Sequence, residues 1–187
     1  MKEQFVLKQK TNSNLDHAVR WCNLVLFNSD SEEWHEFLSA IESKGKFDMA
    51  TCNADHIAKK IIFFKNSDQQ MNVKLYKSKN PWSKAYGYYT AARPFDININ
   101  TRKMNRSIES FIATLVHECC HLIDHLDTVH NFGHGDNSSV GKQDTAPYWI
   151  GNAAAKLFDG NDISDRDYPT YKRKKLSLWQ RFLRWLF

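Results

Sequence analysis

Apolar residues recur at helical spacing between positions 107 and 128, and the run is interrupted at its centre by His117-Glu118-Cys119-Cys120-His121. Ile108, Phe111, Ile112, Leu115, Val116, Cys119, Leu122 and Ile123 supply a broad apolar face. The spacing predicts one long helix over 107–128, with Ser107 as N-cap and Glu109 in its first turn. Residues four apart on a helix share a face, so His117 and His121 can meet one metal ion. Glu118 adjoins the first of them. There it can reach a water at that metal and accept its proton.

The rest of the chain supports a single globular body. Its 187 residues can bury a real core, and 42% hydrophobic with 25% charged residues is ordinary for a soluble domain. The opening stretch, MKEQFVLKQKTNSN, has no apolar run of signal-peptide length. No stretch approaches the roughly 20 apolar residues of a membrane span. These features predict a cytoplasmic protein. Cys22 and Cys52 are scattered, and Cys119 and Cys120 are helix neighbours that point in different directions. Free thiols are therefore expected rather than a disulfide scaffold, and with no C-x-x-C pair a structural zinc knuckle is not.

The charge is uneven. The chain carries a net +5, while residues 171–187, YKRKKLSLWQRFLRWLF, hold six basic groups and no acidic one. The body is thus near neutral and the basic character belongs to the tail. Leu176, Trp179, Phe182, Leu183 and Leu186 fall on one side of a helix, with Ser177, Gln180, Arg181 and Arg184 on the other. The expected organisation is a body over 1–165 and a basic amphipathic tail helix over 166–187. Residues 172–187 could dock on an anionic membrane surface or a partner protein, giving peripheral association, or pack on their own domain.

Further elements follow from periodicity. Helices are expected over 13–27, with Leu15, Ala18, Cys22 and Val25 on one face, and over 31–43, capped by Ser31. A short helical turn is expected at 54–59. Strands are expected over 60–65, 72–77, 85–90 and 96–101, on β-branched, aromatic or alternating patterns. Residues 129–146 read as a loop, and 147–158 as a last core helix with Gly160 past its end.

A catalytic zinc takes three protein ligands and keeps one open position. His125 lies about 12 Å along the helix axis from His117 and cannot share the metal with both histidines. On an unbroken helix Asp127 is turned about 120° away from His121. His134 fits better: the loop after the helix is long enough to turn back, and Gly133 and Gly135 allow unusual backbone angles. His130 comes next. Asp124, one turn beyond His121, could accept the outer N–H of a ligand histidine or bind the metal itself. The expected metal set is His117, His121 and His134 around Zn2+.

Helices, a small sheet, the H-E-x-x-H helix, then a His-bearing loop and a helix: this order resembles the zincin metallopeptidases over about residues 85–158. The resemblance implies an α+β fold, with N-terminal helices, a small and mostly antiparallel sheet, the active-site helix and a C-terminal helix. It also implies an antiparallel edge strand that pairs with extended substrate, a place matched by residues 95–102, FDININTR. The metzincin pattern needs a Gly three residues after the second His, where this chain has Asp124. The loop Gly133-His-Gly-Asp-Asn followed by Ala146-Pro-Tyr-Trp-Ile-Gly151 looks like small bacterial and phage-type zincins of undefined substrate. The expected function is zinc-dependent hydrolysis of peptide bonds in a protein or peptide, with Glu118 as general base. Tyr148 is the candidate oxyanion donor; packing beside Trp149 is its other reading. The alternative function is a zincin scaffold that binds or tethers with little catalysis, docked through its C-terminal helix. SprT-like proteases, which act on DNA-bound protein, share the motif. The zinc ribbon typical of many of them is absent from this sequence, so nucleic acid is not an expected partner.

Overall fold

In the computed structural model, residues 3–134 and 141–160 are described. Strand β1 (Phe5–Leu7) leads into helices α1 (Ser13–Trp21), α2 (Glu32–Ser43) and α3 (Ala54–Asn66). Strands β2 (Met71–Tyr76), β3 (Gly87–Tyr88) and β4 (Asp96–Asn100) follow, then helices α4 (Ile108–Leu126) and α5 (Ala146–Asp159). The protein is α+β, with five α-helices and one four-stranded mixed sheet among the described residues.

The helix starts obey local chemistry. Asn12, Ser31 and Asn53 accept the backbone N–H of Leu15, Trp34 and His56 at 2.9, 3.1 and 2.9 Å, each satisfying a donor that the first turn leaves open. Helix α1 runs on as one π-helical turn, Cys22–Leu26, matching the helix expected over 13–27. Helix α5 has Pro147 in its first turn and ends on Gly160 at φ +71°.

Three sequence expectations fail. Residues 60–65, expected as a strand, are the second half of α3. The β-prone run Ile61-Ile62-Phe63-Phe64 suggests a strand, but Ile57, Ala58, Ile61 and Phe64 are buried at helical spacing. Burial of that stripe outweighs local propensity. The sheet, expected to be mostly antiparallel, is mostly parallel. Its order is β1-β2-β4-β3, with β1–β2 and β2–β4 parallel and only β3–β4 antiparallel. Three helices separate β1 from β2, a connection long enough for the crossover that a parallel pair needs.

That order also moves the expected edge strand. Strand β4, the Asp96–Asn100 part of the expected 95–102, is interior and buried along its whole length, whereas β3 lies at the end of the sheet. The polar alternates of β4 are satisfied internally. Asp96 accepts from Asn72 at 3.0 Å and Lys74 at 2.6 Å, and Asn100 donates to the Ala85 carbonyl at 3.0 Å. Strand β1, not foreseen, is held by buried Asn23. Its side chain accepts from the Gln4 and Phe5 N–H groups at 3.0 and 2.9 Å and donates to the Phe5 carbonyl at 2.8 Å.

The core lies between the helices and the sheet, with α4 at its centre. Helix α5 approaches α4 nearly backbone to backbone. A Cβ on Gly151 would stand 2.6 Å from the Ala113 carbonyl oxygen and 3.3 Å from the His117 Cβ. The four cysteines are free and buried. Among the described residues no helix is long and apolar enough to cross a membrane. The tail at 166–187 lies outside the described residues.

Candidate metal centre

Between positions 110 and 124 every residue of α4 is buried except His117, His121 and Asp124, which are half-buried. These three are four and three residues apart and so form one stripe. Over this stretch the helix is wrapped by core on its other sides and opens along the face that carries its two histidines.

His117 and His121 point their Nε2 atoms at one another across 3.2 Å. A tetrahedral zinc with Zn–N bonds of about 2.0–2.1 Å needs its ligand nitrogens about 3.3 Å apart. His134 comes over the same place, its ring centroid 5.3 Å from His117 and 4.7 Å from His121. The three histidines each offer a ligand atom within 4.8 Å of the others. Burial pushes His117 well below the usual imidazole range, helped by the neighbouring His121 and His134 and opposed by a hydrogen bond to the Pro147 carbonyl. Burial, with His134 beside it, likewise lowers His121 to about 4. Both are therefore neutral near pH 7, the form that binds a metal. The donor set fits zinc.

Glu118 is buried beside this stripe. Burial raises its carboxyl to about 8, against a hydrogen bond from the Tyr89 backbone and the positive charge of Arg106. Arg106 is itself fastened by a 2.7 Å hydrogen bond to Thr114 Oγ1, with its guanidinium 4.0 Å above the Phe111 ring. Tyr148, on the first turn of α5, packs edge-on to His117 at 4.5 Å and stacks on His134 at 5.1 Å. It therefore sits at the donor cluster rather than beside Trp149, which packs on Phe47. Tyr89 was not foreseen. Its ring stacks on His121 at 6.2 Å, and its hydroxyl is buried with no hydrogen-bond partner among the described residues. Only its closeness to the β3 edge, which tertiary pairing creates, could have marked it.

The other candidates separate. Asp124 is not one of the converging donors. Its Oδ1 accepts the Phe132 N–H at 2.8 Å and so holds the loop that returns His134. That loop also leans on residues 48–51. Asn131 exchanges hydrogen bonds with Thr51. Gly133 has φ +77°, and a Cβ on it would fall 2.5 Å from the Met49 carbonyl carbon and 2.6 Å from the Ala50 nitrogen. Only glycine passes there. His125 is exposed. His130 and Asp127 are drawn into a different group with His56, whose ligand atoms also lie within 4.8 Å of one another. Burial opposes the charge of Asp127. The His56 hydrogen bond, the Val129 and His130 backbone N–H groups and the Lys60 cation outweigh it and hold the carboxyl at about 2.

Two histidines one turn apart on a core helix, a third returned by a loop, and a carboxylate between them are of the zincin-like class. Residues 55–139 match the SprT-like family, and SprT-like domains are zincin-like metallopeptidases. The matched segment contains His117, Glu118, His121 and His134, whereas Tyr148 and α5 lie beyond it. No curated protein and no solved structure matches the chain.

Proposed function

We propose that the protein is a zinc-dependent metallopeptidase that hydrolyses peptide bonds in a protein or peptide substrate. The observation that carries this reading is the convergence of His117, His121 and His134 on the one open stripe of α4, with buried Glu118 beside them. Bound zinc would supply a Lewis acid for the scissile carbonyl and the attacking water, and a positive field that favours ionised Glu118.

Glu118 takes the proton from the attacking water and passes it to the leaving amine. Its hydrogen bond from the Tyr89 backbone fixes the carboxylate, and the closed surroundings keep bulk water from competing for the proton. Tyr148, whose ring packs against His117 and His134, would donate to the developing oxyanion. Strand β3, at the end of the sheet and next to Tyr89, offers main-chain groups to an extended substrate. On sequence alone, residues 172–187 would bring the enzyme to an anionic surface or a partner.

The test is Glu118→Gln. The variant should keep its zinc and lose cleavage of an unfolded protein substrate by at least about a hundredfold, the usual contribution of a general base. Undiminished cleavage, or wild-type protein that holds zinc and cleaves nothing, would favour a binding or tethering scaffold.

A further inference from the structure

The group formed by His56, Asp127 and His130 stands apart from the donors on the open stripe of α4. His56 is in the first turn of α3, Asp127 is the C-cap of α4, and His130 lies in the loop that runs on to His134. Two segments 71 residues apart in sequence, the start of α3 and the end of α4 with the loop after it, thus bring two imidazoles and a carboxylate together. The imidazole centroids are 4.3 Å apart. The Asp127 side chain is 1% exposed, so the carboxylate is not a solvated surface group.

The atoms are arranged for an ion. His56 Nε2 and His130 Nδ1 both face Asp127 Oδ2, at 2.5 and 3.6 Å. The other oxygen, Oδ1, is engaged elsewhere, accepting the Val129 N–H at 3.2 Å with Lys60 Nζ at 3.6 Å. His130 Nδ1 is buried and makes no hydrogen bond with any described residue. A buried nitrogen without a partner costs roughly 1–3 kcal/mol and needs a reason. A zinc ligated by two nitrogens and one oxygen at about 2.0–2.2 Å spaces its ligand atoms about 3.3–3.5 Å apart. The His130–Asp127 distance, 3.6 Å, lies just outside this range. The His56–Asp127 contact is a hydrogen bond that needs to open by only about 0.8 Å when its proton leaves.

We propose that His56 Nε2, Asp127 Oδ2 and His130 Nδ1 form a second site for a divalent transition metal, Zn2+ by its ligand chemistry. Two imidazoles and a carboxylate suit zinc and its borderline neighbours, and are too nitrogen-rich for calcium or magnesium. The ion would tie the start of α3 to the end of α4 and to the base of the His134 loop. Its role is to stiffen that loop.

The full-length chain, stripped of metal and titrated with Zn2+ against a chromophoric chelator, should take up about two equivalents. His130→Ala and, separately, His56→Gln should each take up about one, as should a His117→Ala/His121→Ala chain. Circular dichroism checks that each variant is folded, and His56→Gln, a change in the half-exposed first turn of a helix, stands in if His130→Ala is not. Two equivalents retained in both His130→Ala and His56→Gln overturn the proposal. So does a single wild-type equivalent that disappears with His117 and His121 and survives in His130→Ala. A single equivalent with the opposite pattern would support this site and sink the first one.

Discussion

Glu118 occupies surroundings hostile to its own charge. Its carboxyl is raised to about 8 from an ordinary 4.5, first by burial. Between those values the unfolded chain has released the proton and the metal-free folded chain has not, so stability falls as pH rises through that window. Glu118→Gln lacks this titration. In metal-free protein, the melting temperature of Glu118→Gln minus that of wild type should grow steadily from about pH 5 to pH 8. Parallel curves would mean that the carboxylate is not held in an apolar place. The titrations of His117 and His121 run the other way, losing stability as pH falls below 6.5, but both proteins share them and they cancel in the difference. At this scale the motif was legible, because H-E-x-x-H on a helix has only one geometry. Tyr89 and Arg106 were not, since their contacts with the site arise from segments folded across it.

Among the elements, α4 and the loop that follows it decide the site. The helix contributes a rigid pair of donors, and the loop must return a third to within bonding reach. Asp124 and residues 48–51 hold that loop by hydrogen bonds and by a contact at Gly133 too close for any side chain. Gly133→Ala should therefore displace His134 and weaken zinc binding by about 10- to 100-fold, the usual effect of disturbing a ligand's support, as read by chelator competition. Unchanged affinity would show that His134 is not a ligand or that its loop finds another route. Most element boundaries were legible from caps: Ser31 for α2, and Pro147 with Gly160 for α5. The end of α3 was misread because a short apolar run fits either period, and only the side that is buried settles which one rules. Strand β1 escaped notice because it is short and is defined by the Asn23 bonds rather than by its own pattern.

For the whole molecule, the proposed zinc and the fold would support each other. Zinc bound only by the native state adds about 2.7 kcal/mol per site at a free concentration a hundredfold above its Kd, a rise of roughly 5–11 °C in Tm for a domain of this size. Calorimetry with zinc, and then with excess chelator, should show this shift reversibly. A Tm indifferent to zinc would mean that no described donor group holds it in the native state. The sequence by itself determined the helix over 108–126, its two histidines and its carboxylate, because these depend on a spacing of four and on local propensity. It also favoured His134 as third donor, with His130, Asp124 and Asp127 as alternatives, because chain reach and glycine freedom are local quantities. Only the tertiary structure decided the parallel course of the sheet, the identity of its edge, and the sorting of Asp124, Asp127 and His130 into loop support and a separate donor group. Those outcomes depend on which distant segments share the core, and pairings between distant segments leave no period in the sequence.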